Sequence, residues 1–343
     1  MTMAELEGLV GDLLVSAGVP GPDARLTAQR LVEADARGRN GHGVIRLVPY
    51  LERIRAGGIN VDPDIRVLAD RPSSAQVDGD NGLGQVVMTR VTDLAIAKAG
   101  ATGVGVVGAL RSNHAGAAGL YALRAAEAGM VGIYLAVANA NGMAPWGGRN
   151  PLLGTNPLAI AVPGERSTFL LDMATTATSH GTIKTYRDAG RAMPEGWVVG
   201  ADGEPITDPG RAEEGQLVPM GGYKGAGLTI AIGLLAGVLN GAAFGSDVID
   251  HRVDLATPTN TGQLLLVVAA DVFRPLADAV GGVEAALSEL RRSDGPEGEP
   301  LRLPGDASAA AWAHACEHGI ELPAPVWRRL TDEAERCGVA LPS

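Results

Sequence analysis

The sequence predicts a mixed α/β protein with a helical lobe and a larger lobe that contains a sheet. The first 58 of its 343 residues show only helical periodicity. Apolar strand-like runs then alternate with helical segments through the middle of the chain, and the C-terminal part is helical again. The net charge of −11, without a basic run, excludes the basic footprint of nucleic-acid and anionic-membrane binders.

The N-terminal helices have recognisable boundaries. Thr2 and Glu5 form a capping-box pattern, Pro22 is typical of a first helical turn, and Gly38 of a helix end. Pro49 is expected to kink the third helix. The predicted helices span 3–17, 22–38 and 43–56.

The rest of the chain alternates between the two periodicities. Predicted helices span 85–100, 116–128, 225–240, 275–290, 307–318 and 325–337. Predicted strands span 103–108, 131–138, 157–162, 168–172 and 264–270. The segments 62–72, 141–156, 190–221 and 291–305 are predicted as connections or loops. A bilayer needs about 20 apolar residues, so the shorter run at 228–239 indicates a buried helix rather than a membrane span.

The location is predicted to be the cytoplasm. The N-terminus lacks the positive region and apolar core of a signal peptide. Cys316 and Cys337 lack CxxC spacing, which favours a reducing compartment. No metal site is predicted, because His314 and His318 stand four residues apart without an HExxH pattern.

The segment 34–54 has the sharpest chemical pattern. In a helix over 43–56, His42 lies at the N-terminal edge, and Arg46 and Tyr50 follow at spacings of four along one face. A histidine can protonate a developing alkoxide, and an arginine can bind a carboxylate with two parallel hydrogen bonds. The pattern suits a 2-oxo acid, although a helix-start residue and a surface charge would produce the same spacing.

A second candidate is the turn that follows the strand at 103–108. Asn113 and His114 stand between this strand and the next helix, where α/β folds often bind ligands. An asparagine chosen for turn geometry remains an equal alternative. The glycines of 103–108 match GxGxxG, but they lie inside the strand rather than in a strand-to-helix turn, so a Rossmann site is rejected.

Two further segments carry oxygen-binding groups. In 171–190, an apolar strand ends at Asp172, and a hydroxyl-rich run leads to His180 and Lys184. These side chains suit phosphate and ribose oxygens, or the hydroxyls cap a helix. In 219–245, glycines flank Tyr223 and Lys224 before an apolar helix, which suits an anion at the helix N-terminus or a tightly packed turn.

Ordered motifs along nearly the whole chain resemble the malate/L-lactate/L-sulfolactate dehydrogenase family, which includes ureidoglycolate dehydrogenase and Δ1-piperideine-2-carboxylate reductase. The motifs are VDGDNGLGQVV (77–87), SNHAG (112–116), APWGGRNPLLGTNPLAIAVP (144–163), LDMAT (171–175), PEGWVVGADGEPITDP (194–209), GGYKGAGL (221–228) and LPGD (303–306). The resemblance implies a non-Rossmann fold, with a helical lobe formed by 1–58 and 291–343 and a cofactor and substrate lobe with a mainly antiparallel sheet over 59–290. It also implies a homodimer.

The resemblance assigns roles to individual residues. It implies NAD(P)-dependent hydride transfer involving a small carboxylate, with His42 as proton donor, Arg46 as carboxylate residue and His114 beside the nicotinamide. Tyr50 is predicted to bind substrate with Arg46 and His114. The predicted cofactor-binding residues are Asn113, His114, Asp172, Met173, Ala174, Thr175, Thr176, Thr178, His180, Lys184, Tyr223, Lys224, Gly305 and Asp306.

Three departures from the family pattern leave the substrate open. Gly41 stands where members usually have serine, Ala115 replaces an aromatic residue, and Thr182 replaces lysine or an acid. They favour a bulkier or less polar substrate than malate or lactate. The alternatives are reduction of a cyclic or N-alkyl 2-imino acid and a cofactor-binding protein without catalysis. The cations His180, Lys184 and Arg187 favour NADPH slightly over NADH.

Overall fold

The computed structural model describes residues 1–293 and 301–342. Its α-helices are α1 (Met3–Ser16), α2 (Gly21–Ala36), α3 (Leu47–Arg55), α4 (Gly84–Thr102), α5 (Gly119–Glu127), α6 (His180–Asp188), α7 (Tyr223–Ile232), α8 (Leu276–Arg291), α9 (Asp306–His318) and α10 (Ala324–Cys337). Its strands are β1 (Arg66–Arg71), β2 (Ser74–Gly82), β3 (Val104–Ser112), β4 (Met130–Ala136), β5 (Leu158–Pro163), β6 (Thr168–Met173), β7 (Val198–Val199), β8 (Gln216–Leu217) and β9 (Gly262–Ala269). Part of the predicted link at 291–305 lies outside the described residues.

Seven strands form one sheet in the order β1-β2-β3-β9-β4-β5-β6, and β7 pairs with β8 separately. Neighbours in the large sheet are antiparallel except for β2 and β3, which run parallel. The predicted class, a mixed α/β fold with a mainly antiparallel sheet and no Rossmann topology, is therefore confirmed.

Helices cover both faces of the sheet. On one face α4 packs on β3 and β9, and α5 packs on β4 and β5. The core between them is built mainly from alanine and valine, such as Val107 and Ala122, because the sheet and helices approach closely. On the other face, the chain that continues α7 contacts β9, β4 and β3.

The helices at the two ends of the chain share one core. It contains Leu13 of α1, Leu31 of α2, Leu47 of α3 and Leu330 of α10, all fully buried. The long apolar stripes predicted these helices, but only packing decides that the last helix closes over the first. The division into lobes at 58/59 and 290/291 stays a prediction.

The prediction of a connection over 62–72 was wrong for its second half. Residues 66–71 form β1, whose residues are all exposed, and the strand β2 was missed entirely. An exposed edge strand lacks the apolar alternation that identifies strands. In β2, the Asp-Gly-Asp-Asn-Gly run is typical of a turn, yet Asp78 pairs with β1 and β3 and Gly82 pairs with β3, with a shift of register between them.

The predicted helix over 225–240 is irregular and incompletely buried. After α7 the chain forms a π turn at Gly233–Gly237 and a 3₁₀ turn at Val238–Asn240. Leu234, Leu235, Val238 and Leu239 are exposed, so the prediction of a buried helix was wrong for this face. By length and composition alone, Tyr223–Asn240 would pass as a membrane span, a test that core helices of soluble proteins also pass.

The glycines of 103–108 lie within β3, apart from Gly103, which caps α4 at a φ of 84°. A Cβ on Gly105 would lie 2.1 Å from the Ala95 carbonyl oxygen, and one on Gly108 would lie 2.2 Å from Asn240 Oδ1. These glycines therefore let a helix and a side chain approach the strand, and the GxGxxG match is structural, as predicted.

Candidate active site

His42 and Arg46 lie in two consecutive 3₁₀ turns, Asn40–His42 and Val44–Arg46, and α3 begins only at Leu47. The predicted helix over 43–56 was therefore wrong in its first turn. Arg46 Nε donates to the Gly41 carbonyl oxygen at 2.7 Å, which ties the two turns together. Pro49 lies in the first turn of α3, where its missing N–H breaks no helical hydrogen bond, so the predicted kink does not follow.

The structure brings His114 to this turn. The rings of His42 and His114 are stacked, with centroids 5.6 Å apart and an interplanar angle of 16°. The Tyr50 hydroxyl lies 2.6 Å from His114 Nδ1. The first two sequence candidates thus form one cluster, although 68 or more residues separate His114 from Arg46 and His42 in the chain.

The charges of the cluster suit an anion. Within the part of the chain that the structure describes, no carboxylate lies within 4.0 Å of Arg46, and its terminal nitrogens have no hydrogen-bond partner. Burial, together with the charges of Arg46 and Arg39, lowers the pKa of His42 to about 4. Burial lowers the pKa of His114 well below its usual value as well. The site therefore contains two neutral imidazoles and one uncompensated guanidinium.

The other two candidates form a second cluster. The Ala177 N–H donates to the Val218 carbonyl, and the Met220 N–H donates to the Thr175 carbonyl. This pairing lays the hydroxyl-rich segment along the loop that enters α7. Gly221 and Gly222 adopt left-handed φ values of 59° and 67°, and α7 begins at Tyr223 without a side-chain cap. An anion can therefore bind at this helix N-terminus, where it would accept hydrogen bonds from the first N–H groups of α7. Lys224 and Tyr223 are both exposed there and can contact it as well.

Several predicted cofactor residues already use their side chains within the fold. The Asn113 amide donates to the carbonyls of Asn81 and Gly82. Asp172 accepts from the Gly119 N–H and pairs with Arg39 at 3.7 Å. These residues can offer only backbone atoms or remaining lone pairs to a ligand.

The threonines of the same segment differ among themselves. Thr175 Oγ1 contacts the Thr155 carbonyl and Thr229, and Thr176 donates to the Thr178 carbonyl. Thr178 Oγ1 is buried and has no partner among residues 1–293 and 301–342. Met173 and Ala174, which end β6 and follow it, are half-buried.

Gly305 and Asp306 lie beside β6. The Leu170 N–H donates to the Pro304 carbonyl, and a Cβ on Gly305 would lie 2.9 Å from the Leu170 nitrogen. Asp306 pairs with Arg291 at 2.8 Å, which lowers the pKa of the carboxyl. The geometry explains the glycine, which has a φ of 104° and touches the strand.

His180 lies close to the loop residue Gly142. It begins α6 behind the Ser179 cap, and its Nε2 would lie 3.2 Å from a Cβ on Gly142. Burial and the charges of Arg252 and Arg46 lower the pKa of His180. Lys184, one helical turn further along α6, is half-buried. The predicted cofactor histidine therefore lies within the electrostatic reach of the predicted substrate arginine.

Comparison with known proteins identifies the fold and the class of the chain. Residues 1–331 match the family described as malate/L-lactate dehydrogenase. The chain belongs to the malate/L-lactate dehydrogenase family. The L-sulfolactate dehydrogenase of Methanocaldococcus jannaschii is 39% identical over 299 residues, which cover 87% of this chain and 86% of that protein. Its structure superposes with a TM-score of 0.92 at 35% identity, covering 99% of this chain and 98% of that one.

Further relatives bear on cofactor and substrate. A ureidoglycolate dehydrogenase (NAD(+)) of Escherichia coli K12 is 35% identical, covering 96% of this chain and 94% of that protein. A (2R)-3-sulfolactate dehydrogenase (NADP(+)) of Chromohalobacter salexigens is 33% identical, covering 95% of each. The structure of Δ1-piperideine-2-carboxylate reductase from Pseudomonas syringae has a TM-score of 0.85 at 29% identity, covering 97% and 99%. The predicted class, an NAD(P)-dependent dehydrogenase, is therefore confirmed, and the family includes users of both cofactors.

This malate/L-lactate dehydrogenase family member holds its His42 turn with a residue that the sequence did not reveal. Buried Asp35 of α2 accepts the Val44 N–H at 2.7 Å, and a Cβ on Gly43 would lie 2.1 Å from Asp35 Oδ1. Burial raises the pKa of Asp35 to about 7. A lone acidic residue on the buried face of a helix is the sequence signal that could have identified it.

Replacing Asp35 with asparagine is expected to make the protein's stability less dependent on pH. Asp35 binds its proton more tightly in the folded chain than in the unfolded one, where the pKa is 3.8. The stability gained from this tighter proton binding is therefore complete below pH 3.8 and is lost as the pH rises through about 7. Each pKa unit is worth about 1.4 kcal/mol, so asparagine should gain a few kcal/mol over wild type between pH 4 and 8.

Urea unfolding of wild type and Asp35→Asn at pH 4 and at pH 8 measures this difference in the free energy of unfolding. Asparagine keeps an acceptor for the Val44 N–H, whereas Asp35→Leu removes it and should destabilise the protein at both pH values. Exposed Asp12→Asn serves as the surface control. Parallel pH dependence of wild type and Asp35→Asn would contradict the role given to burial.

Two other residues near the cluster escaped sequence reasoning. Buried Gln85, at the start of α4, donates from Nε2 to the Tyr50 hydroxyl at 3.0 Å. His251 lies where its charge lowers the pKa of His114, and its buried Nε2 has no partner within the described residues. Neither residue belongs to a recognisable spacing pattern.

The departures at 41, 115 and 182 differ in their surroundings. No atom lies within 4 Å of a Cβ built on Gly41, so a side chain there would meet open space beside His42. Ala115 is buried in the sheet core, and its carbonyl accepts from the Tyr121 hydroxyl. Thr182 is exposed and contacts Ser179 in the α6 cap. Of the three, Gly41 lies directly next to a predicted catalytic residue.

Proposed function

We propose that this protein transfers a hydride between NAD(P)H and a small 2-oxo or 2-hydroxy acid, with His42, Arg46 and His114 as its catalytic residues. The observation that carries the proposal is the pairing of an uncompensated Arg46 with two stacked, neutral imidazoles. A 2-hydroxy acid presents a carboxylate and a hydroxyl on adjacent carbons. The cluster offers a cationic group for the first and a proton acceptor for the second.

Each residue has a distinct role in this proposal. The Arg46 terminal nitrogens bind the substrate carboxylate by two parallel hydrogen bonds, while Nε stays on the Gly41 carbonyl. His42 accepts the hydroxyl proton during oxidation and returns it to the carbonyl oxygen during reduction. Because the pKa of His42 is about 4, the free protein at neutral pH is set for the oxidation direction. A carboxylate bound to Arg46 offsets the charge that lowers this pKa.

The second cluster fits a dinucleotide. The uncapped N-terminus of α7 and exposed Lys224 supply donors for phosphate oxygens, and Thr178 adds a buried hydroxyl. When bound, NAD(P)⁺ supplies the hydride acceptor. His180 begins α6, and Lys184 and Arg187 follow it on the same helix as candidate contacts of a 2′-phosphate. The slight preference for NADPH rests on these cations alone.

An assay of NAD(P)H oxidation with a panel of 2-oxo acids, run alongside NAD(P)⁺ reduction with the matching 2-hydroxy acids, tests the proposal. Turnover of any pair supports it. Cofactor binding in a fluorescence titration without turnover would favour the alternative of a binding protein that has lost catalysis. Absence of cofactor binding would overturn both.

Reduction of a 2-imino acid is the second candidate. It is favoured by the structural similarity to a Δ1-piperideine-2-carboxylate reductase and by the low pKa of His42. An iminium substrate is already charged, so it needs a strong proton donor less than a ketone does. Activity that appears only when methylamine is added to the 2-oxo acid would select this candidate.

Changing Gly41 to serine is expected to improve binding of small polar substrates such as malate or lactate. The new hydroxyl would enter open space next to His42 and could bond a substrate oxygen, which is worth about tenfold in KM. Gly41→Ala is the matched control, since it adds the same Cβ without the hydroxyl. Equal KM values for the serine and alanine variants would show that position 41 does not contact substrate.

We also propose that the protein is a cytoplasmic homodimer. The exposed leucines and valine at 234, 235, 238 and 239 continue the α7 segment as one apolar surface, which monomers rarely leave uncovered. Light scattering should give twice the chain mass of 35.0 kDa. Leu235→Glu and Leu239→Glu should lower that mass, whereas an equal substitution at exposed Val15 should not.

A further inference from the structure

Buried hydrogen bonds behind His114 run in one direction. Gln85 Nε2 lies 3.0 Å from the Tyr50 hydroxyl, and that hydroxyl lies 2.6 Å from His114 Nδ1. Gln85 and Tyr50 are both buried. A third contact fixes the direction, because the Gly116 backbone N–H lies 3.3 Å from the same Nδ1. A backbone N–H can only donate, so Nδ1 must accept.

The roles of the other atoms follow from that acceptor. Since Nδ1 carries no proton, the Tyr50 hydroxyl, 2.6 Å away, donates to it rather than to the His114 carbonyl oxygen at 3.2 Å, and the Tyr50 oxygen accepts from Gln85. The Gln85 amide must therefore present its nitrogen, which leaves its buried Oε1 without a partner within the described residues. A reversed amide would place two acceptors against one hydroxyl proton.

The proton of neutral His114 is then on Nε2. Burial and the neighbouring charge of Arg46 disfavour the imidazolium. The stacked His42 ring and Arg46 belong to the same cluster, so the Nε2–H lies in the candidate active site. A histidine that donates from Nε2 can bind an oxygen but cannot take a proton there.

We propose that Gln85 and Tyr50 are positioning residues that hold His114 as its Nε2–H tautomer, so that His114 donates a hydrogen bond to the substrate's reacting oxygen while His42 exchanges the proton. The inference rests on the proposed function and divides the labour between the two histidines. It also changes the role of Tyr50, which was predicted to bind substrate. Its buried hydroxyl is engaged by Gln85 and His114 instead.

Nitrogen NMR of the full-length protein labelled at histidine tests the tautomer without any substrate. In wild type, the His114 signals, assigned with a His114→Gln variant, should show an unprotonated Nδ1 and a protonated Nε2. A protonated Nδ1 in wild type would overturn the proposal. This readout stands even if no hydride transfer is ever observed, so the two proposals can fail separately.

Variants of the two positioning residues test its consequence. Gln85→Glu cannot donate as a carboxylate, so the Tyr50 hydroxyl should turn to it and the His114 proton should shift toward Nδ1. Tyr50→Phe should remove the tautomer bias. A misplaced proton on a catalytic histidine is costly, so we expect both variants to lower kcat by at least about tenfold while the cofactor Kd stays unchanged.

Tyr121→Phe is the matched control, because it also removes a buried tyrosine hydroxyl from this turn. That hydroxyl donates to the Ala115 carbonyl at 2.5 Å and leaves the imidazole untouched. It should retain the wild-type tautomer and kcat. Wild-type tautomer populations and kcat in both the Gln85→Glu and Tyr50→Phe variants would refute the positioning role. If Tyr121→Phe lowered kcat as much as the other two variants, the loss of activity would reflect disturbed packing of the turn rather than a change of tautomer.

Discussion

Replacing His42 with alanine is expected to lower kcat by on the order of 10²-fold or more, because the group that exchanges the substrate proton is removed. The ring has no hydrogen-bond partner among residues 1–293 and 301–342, so its loss breaks no internal polar contact. Cofactor Kd should stay unchanged. Steady-state kinetics with either substrate direction and a cofactor titration measure both quantities.

The same residue sets the expected pH dependence of wild-type kcat/KM. Oxidation of a 2-hydroxy acid needs neutral His42, so its kcat/KM should be level at neutral pH and fall as the pH drops through about 4. Reduction needs the protonated ring and should decline as the pH rises above that value. His42→Ala should lose both trends. If His42→Ala kept the wild-type kcat or the wild-type pH dependence of kcat/KM, another group would have to exchange the substrate proton.

Replacing Arg46 with methionine is expected to raise the KM for a carboxylate substrate by roughly 100-fold, since two charge-assisted hydrogen bonds are lost. Arg46→Lys keeps the charge but should recover only part of the binding. Lysine cannot form the parallel pair, and it cannot use a third nitrogen on the Gly41 carbonyl as Arg46 Nε does. Initial rates over a range of substrate concentrations give the KM values.

A substrate analogue with a carboxamide in place of the carboxylate is the control for Arg46. The wild-type protein should bind this carboxamide analogue weakly, and the Arg46→Met variant should bind it with nearly the same affinity as wild type. If the methionine variant weakened both compounds equally, the arginine would act through the shape of its turn. Unfolding experiments on each variant separate that outcome from a loss of stability.

Local sequence signals predicted most of the helices. The Thr2 and Glu5 capping box is present at the start of α1, with the Glu5 N–H donating to Thr2 Oγ1 at 3.2 Å. The apolar run at 264–270 corresponds to β9, in the centre of the sheet. Such elements are readable because their periodicity reports burial on one face or on both. The strand β1 was unreadable because all its residues are exposed.

The sequence suggested the residue types of the candidate site but not its geometry. The spacing of His42 and Arg46 suggested one face of an α-helix, whereas the chain forms two 3₁₀ turns held by Asp35 and by the Gly41 carbonyl. Motif resemblance selected His114, but spacing could not show that it stacks on His42. Gln85 was overlooked because a glutamine at a helix start carries no signal of its own.

By itself, the sequence determined the mixed α/β class and the helices of both chain ends, and it suggested residues whose side chains suit carboxylate, proton and phosphate chemistry. These follow from side-chain type and periodicity, which are local properties. Only the tertiary structure decided that the turn at 40–46 meets the turn at 113–116, and that the buried Tyr50 hydroxyl lies against the His114 ring. These contacts depend on the packing of α4 against β3 and of α3 against the turn that follows β3, and no window of the chain encodes that packing.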